Sequence, residues 1–268
     1  MPEMAAEIPS AGGQTNDDMP AMSFLEHLEE LRRRIIYSLI AVAAGFFACW
    51  AYAEKLYGIM QKPIITTLHA NGMSEKLVYL NPTEPFNLYL KVALMAGLFV
   101  ASPFVLYQVW MFISPGLYRH ERRYVTPFMF STVGLFLAGG VFGYKIVYPQ
   151  MLNFLINYGK QFQPMITIGE YTDLFLMIII GMGVIFELPI LVFFLSLMGI
   201  VTAGWMWRNF RYSILVIFII AAIVTPTTDI LNMCIFAAPM IALYAVSIAI
   251  AYIVHPTRRR AHREKPGS

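Results

Sequence analysis

Charge is what this chain has least of. Only 13% of its 268 residues are Asp, Glu, Lys or Arg, against about a quarter in a soluble domain. At the same time 58% are hydrophobic and the mean hydropathy is positive. A soluble fold cannot cover so much apolar surface with so few solvated side chains, so the composition excludes an ordinary soluble domain. Cysteine is nearly absent: Cys49 and Cys234 both lie inside apolar blocks, where a thiol behaves as a small hydrophobe and a zinc site would need more ligands nearby. No metal, cofactor or redox role is assigned. The usual tools of catalysis are also missing. There is no Gly-rich phosphate loop ending in Lys and Ser or Thr, no His-Glu-x-x-His pair and no Gly-x-Ser-x-Gly elbow. The histidines (His27, His69, His120, His255, His262) are scattered over loops and tails, and the chain is not expected to be an enzyme. No internal repeat is evident, which argues against an inverted-repeat transporter.

What charge there is follows a pattern. All twelve arginines fall in four short breaks between long apolar blocks: Arg32 to Arg34, Arg119 to Arg123, Arg208 to Arg211, and Arg258 to Arg263. Loops rich in Arg and Lys stay cytoplasmic, and these breaks alternate with others that carry only scattered lysines. Of the 19 Lys and Arg, 13 fall on the inner side so defined and 6 (Lys55, Lys62, Lys76, Lys91, Lys145, Lys160) elsewhere. The expected fold is an all-α integral membrane protein with six transmembrane helices, both ends in the cytoplasm.

The spans are expected at 35–53, 86–112, 124–148, 172–198, 212–224 and 230–254. Ser23 and Glu26 have capping-box spacing, and Phe24, Leu28, Leu31 and Ile35 recur at helical intervals, so a helix should begin on the membrane surface before entering it. Pro103 should kink the second span by removing a backbone donor. Residues 54–85 read as an outer loop with a short helix or hairpin, and 149–171 as a second outer loop. The fifth and sixth spans are expected to be short, the fifth being too short for a core of about 30 Å. Residues 1–22, rich in Pro, Gly, Ala and acids and without signal-peptide layout, read as a disordered cytoplasmic tail. A membrane domain over 23–254 and a basic cytoplasmic tail over 255–268 complete the division.

Three groups stand out. In His27-Leu28-Glu29-Glu30-Leu31-Arg32-Arg33-Arg34, the glutamates stand four residues before arginines, the favourable order for helical ion pairs. The segment from Tyr107 to Arg123 joins an aromatic belt, a Pro-Gly turn and a basic stop signal, yet topology alone does not require Glu121 among three arginines. Glu30 and Glu121 share the inner face, where two carboxylates can accept guanidinium groups through charge-assisted hydrogen bonds. A cationic peptide is therefore a plausible ligand. Glu187, beside Pro189 in an apolar block, costs about 2.5–3.5 kcal/mol or more to insert unless paired or protonated. It serves a structural hydrogen bond, a water-filled groove or a contact with another membrane helix. A proton-coupled solute transporter using Glu187 is the rival reading, and an intramembrane protease is disfavoured by the absent nucleophile motif.

At these residues the chain resembles the TatC family, the multispanning receptor subunit of the twin-arginine translocase. The His-Leu-x-Glu-Leu-Arg helix start, the Tyr-Gln-x-Trp-x-Phe-x-x-Pro-x-Leu-Tyr-x-His-Glu-Arg-Arg loop, the Phe-Glu-x-Pro segment and the Thr-Pro-x-x-Asp turn occur in the family's order between about Phe24 and Val254. The resemblance implies a fold curved around a concave groove, with a cytoplasmic receptor site for signal peptides bearing an Arg pair on folded cargo. It implies that Glu30 and Glu121 bind that pair and that Arg32, Phe112 and Arg119 shape the site. It further implies that single-span TatA- and TatB-type partners dock near Glu187 and Pro189, that Pro63 and Asp229 are of functional or structural interest, and that transport draws on the proton gradient. Homo- and hetero-oligomers in a bilayer, no nucleic acid, and a bacterial inner membrane are expected. Glu29 precedes Glu30 where the family often has a neutral residue, so both glutamates remain candidates for the arginine contact.

Overall fold

The computed structural model describes residues 24–74, 76–113, 125–162, 165–224 and 229–263, and these are almost wholly helical. In chain order they form α1 (Phe24–Trp50), α2 (Ala53–Met60), α3 (Lys62–Ala70), α4 (Glu84–Ile113), α5 (Val125–Phe142), α6 (Tyr148–Tyr158), α7 (Ile168–Ile185), α8 (Leu188–Leu197), α9 (Ala203–Arg208), α10 (Phe210–Val224) and α11 (Ile230–Arg263). Five stretches are long and apolar enough to cross a membrane: Leu25–Trp50, Glu84–Ile113, Met129–Tyr158, Ile168–Ser196 and Ile230–Ile253. Large apolar side chains such as Ile35, Leu39, Ile40, Phe47, Phe130, Leu215 and Ile219 face outward. The fold is thus an all-α membrane fold whose outer surface suits lipid.

Helices in lipid associate through close packing of small residues, because lipid tails solvate apolar side chains as well as a neighbouring helix does. Gly45 of α1 and Gly97 of α4 show this directly. A Cβ on Gly97 would lie 2.5 Å from the Phe46 nitrogen, and one on Gly45 would lie 2.6 Å from the Gly97 oxygen. Backbone meets backbone there, and α1 packs chiefly on α4. Gly139 repeats the device between α5 and α7, 2.5 Å from the Met182 oxygen. The main core lies where α4, α6, α7 and α11 converge with the short α2 and α3, around Met60, Ile64, Val92, Tyr148, Met151, Ile178, Met182 and Phe236.

The prolines are accommodated locally. Pro103 lies inside α4, which stays helical throughout. The Phe99 carbonyl, which Pro103 cannot satisfy, accepts instead from the Ser102 hydroxyl at 2.7 Å. Pro149 does not end the third span as expected. A π-helical turn over Gly143–Val147 joins α5 to α6, with Pro149 in the first turn of α6, where a missing donor costs little. The second outer loop therefore shrinks to 159–167. The fourth span begins earlier than expected, at Ile168, because the Thr167 side chain accepts from the Glu170 N–H and caps α7. It is broken at 186–187 into α7 and α8.

The first outer segment folds into α2 and α3, joined at Gln61. Its tip is tied to the second by a parallel bridge between Val78 and Thr167. Of the two segments expected as the last spans, only the first is short. The 15 residues of α10 rise about 22 Å, whereas α11 runs for 34 residues and its Ile230–Ile253 stretch can cross. The expectation of a short sixth segment is corrected: α11 stays helical through Pro239, and its apolar stretch runs from Ile230 to Ile253.

Candidate functional site

The first turns of α1 and the last turns of α4 meet at one end of the bundle. Arg34 Nη2 donates to Glu30 Oε1 at 3.0 Å, one helical turn away, and Arg34 Nη1 donates to Gln108 Oε1 of α4 at 2.9 Å. The two ionic side chains are only 17% and 10% exposed for Arg34 and Glu30, and Gln108 is buried. The pair is half made. Among the described residues Glu30 Oε2 and Arg34 Nε are buried without a hydrogen-bond partner, although a side-on guanidinium–carboxylate pair would use both. One turn toward the start of α1, His27 stacks on Phe112 with ring centroids 4.3 Å apart and planes 13° from parallel. In the same last turns of α4, Trp110 packs instead on Phe194 of α8, with ring centroids 4.2 Å apart, in a separate apolar cluster. Alongside, an open groove of about 590 Å³ is lined by Glu26, Glu29, Glu30, Arg32, Arg33, Ile36 and Tyr37. A carboxylate-rich wall with an unfilled acceptor suits a cation with several planar donors.

The other candidate residues lie elsewhere. Glu187 occupies the break between α7 and α8, where its N–H donates to the Val184 carbonyl at 3.1 Å and its carbonyl accepts from the Leu191 N–H at 2.9 Å. Its Oε1 is buried without a hydrogen-bond partner among the described residues. Pro189 sits in the first turn of α8, where proline fits a helix start. Pro63 begins α3 in the same way. It cannot donate to the Ile59 carbonyl, which accepts from the Tyr144 hydroxyl at 2.8 Å, while the neighbouring Met60 carbonyl accepts from Tyr171 at 2.6 Å. Asp229 caps α11: its carboxylate accepts from the Asn232 N–H at 2.8 Å and from the Asn232 side-chain amide at 3.2 Å.

The profile of the family described as Sec-independent protein translocase protein (TatC) matches residues 26–239. The chain belongs to the TatC family. It is 70% identical to the Sec-independent protein translocase protein TatC of Koribacter versatilis (strain Ellin345), over 93% of this chain and 92% of that protein. With the TatC of Aquifex aeolicus (strain VF5) it shares 33% identity over 91% of this chain and the whole of that protein. A crystal structure of the twin arginine translocase receptor TatC superposes with a TM-score of 0.76 at 33% identity, covering 85% of this chain and 99% of that one. As a member of this family the chain is a multi-pass translocase component of the bacterial inner membrane and not an enzyme.

Of the residues assigned to sites from the sequence, the structure brings Glu30, Arg32 and Phe112 to one edge and places Glu187, Pro189, Pro63 and Asp229 on other elements. Glu121 and Arg119 lie outside the described residues, as do Ser23 and residues 1–22. The expected i to i+4 pair of Glu30 and Arg34 is present, whereas Arg34, Gln108 and His27, which stand inside the two motifs, were not assigned to the site and yet complete the edge. The signal for Arg34 was its place four residues after Glu30. His27 and Gln108 stand inside the two motifs, but nothing local says that they face each other's helix.

Proposed function

We propose that this chain is the membrane receptor that binds twin-arginine signal peptides at its cytoplasmic edge. With single-span TatA- and TatB-type partners it supports proton-gradient-driven export of folded proteins. Its membrane domain over 23–254 crosses six times, α10 being a short fifth span, with segments 1–22 and 255–268 in the cytoplasm and a concave groove between the spans. One observation carries the reading: the acidic start of α1 and the aromatic end of α4 share one edge, where a nearly buried glutamate keeps an acceptor open. Phe112, which stacks on His27, comes one residue before the end of α4, and Glu121 follows it in the sequence. Topology points the same way. Arg32 to Arg34 lie at this edge, and α8, whose Phe194 touches Trp110, leads into Arg208 on α9. Lys91, paired with Asp173, and the α2–α3 cap with Lys55 and Lys62 belong to the opposite end.

Glu30 and Glu121 accept the guanidinium pair, with Arg32, Arg119 and Phe112 shaping the site. Insertion of the signal's apolar segment beside the spans then stabilises the complex by about 25 cal/mol per Å² of apolar area removed from water. Glu187, with Pro189 opening the helix break, offers a polar contact inside the bilayer for a partner helix. Binding of a fluorescent peptide carrying an Arg-Arg pair and an apolar segment tests the assignment. Glu30→Ala and Glu121→Ala should each weaken it about tenfold, the scale of a lost charge-assisted hydrogen bond, and a Lys-Lys peptide should bind poorly because ammonium lacks the planar fork. Unchanged binding in both variants, with solute uptake abolished by Glu187→Gln, would instead establish the transporter reading.

A further inference from the structure

Arg34 is itself an arginine seated on the carboxylate assigned to the ligand's arginine. It makes one contact to Glu30 and leaves Glu30 Oε2 and its own Nε unused, because Gln108 draws the guanidinium toward α4. We propose that Arg34 is a resident competitor held in a half-engaged state by Gln108. The incoming guanidinium exchanges with it on Glu30 while Gln108 keeps hold of Arg34. The inference rests on the receptor reading of Glu30 given above.

The geometry makes the exchange selective. A peptide arginine can offer two parallel N–H donors to both carboxylate oxygens, more than the single contact it displaces. A lysine offers a point charge on one oxygen and gains little over the contact already there. Arg34 therefore raises the threshold equally for any cation, and an arginine's paired contacts clear it more easily than an ammonium's single one. Gln108 is a positioning residue: without it, Arg34 is free to turn side-on and close both oxygens of Glu30.

The two residues predict opposite effects on equilibrium binding of fluorescent Arg-Arg and Lys-Lys peptides to the purified full-length protein in detergent. Arg34→Gln should bind the Arg-Arg and the Lys-Lys peptide each about fivefold tighter, because the contact displaced from Glu30 is the same whichever cation replaces it. Gln108→Leu leaves every charge in place and should bind the Arg-Arg peptide about threefold weaker, whereas Arg34→Gln/Gln108→Leu should match Arg34→Gln. Arg33→Gln removes a charge from an exposed neighbour that lines the same groove and should change binding much less.

Equal tightening in Arg33→Gln overturns the exchange in favour of a general field effect. Weaker or unchanged binding in an Arg34→Gln protein that elutes as the wild type overturns it too. If Arg34→Gln does not fold, Gln108→Leu decides alone, and unchanged or tighter binding there overturns the proposal. Failure of the underlying reading is distinguishable: Glu30→Gln then binds as the wild type, and all the arms fall together.

Discussion

At the scale of single residues, side chains that hold the fold differ from those proposed to meet a ligand. Asp229 belongs to the first kind. Its carboxylate takes a backbone N–H in the first turn of α11, one of the donors a helix start leaves unsatisfied. Asp229→Ala should lower stability by about 1 kcal/mol, seen as an earlier thermal unfolding transition in detergent, while Asp229→Asn, which keeps an acceptor, should unfold near the wild-type temperature. If the asparagine variant is as unstable as the alanine one, the carboxylate's charge matters and capping is not its role. Pro63 is structural in a less obvious way, since its missing N–H leaves the Ile59 carbonyl to the Tyr144 hydroxyl and so ties the outer cap to the membrane helices. Glu30 is different. A carboxylate oxygen buried without a partner is a cost that a purely structural ion pair would remove by turning side-on.

At the scale of elements, the contact between α1 and α4 sets the geometry of the proposed recognition edge. Because α1 packs chiefly on α4, the crossing at Gly45 and Gly97 fixes how the start of one helix meets the end of the other. Gly97→Leu forces atoms into a position already filled by the Phe46 and Gly45 backbone and should cost about 1–3 kcal/mol or more. It should also weaken Arg-Arg peptide binding, although Gly97 lies well away from the groove. Gly134→Leu, placed where a Cβ meets nothing within 4 Å, should leave both stability and binding near wild type. Wild-type peptide affinity in Gly97→Leu would show that the α1–α4 crossing does not position the site.

The elements also show what the sequence reveals and what it hides. Apolar runs and arginine breaks mark the helices, because the need to bury or solvate a backbone in lipid acts on contiguous residues. The i to i+4 relation of Glu30 and Arg34 is legible for the same reason. Pro149 misleads because a π-helical turn just before it places it at a helix start, and no composition signal announces that turn. The Arg34–Gln108 bond joins residues 74 positions apart, and the stacking of His27 on Phe112 is equally non-local. Both depend on two glycines letting helices approach, which periodicity alone does not disclose.

At the scale of the whole molecule, charge and aromatic clusters sort to the two ends of the helical body. The arginine-bearing end gathers the start of α1, the end of α4 and the end of α8. The lysine-bearing end gathers α2, α3, α6 and the bridge between Val78 and Thr167. The proposed receptor role needs this polarity, because the peptide's arginines must stay in water at the same edge where its apolar segment enters lipid. The central claim is that the edge formed by α1 and α4 grips a guanidinium pair. Photocrosslinking tests it most directly, from Glu29 and Arg33, which line the groove, and from Tyr79, exposed near the opposite end. An Arg-Arg peptide should label the first two positions strongly and Tyr79 hardly at all, with a Lys-Lys peptide labelling none of them well. Equal labelling by both peptides, or labelling from Tyr79 as strong as from the groove, would contradict it.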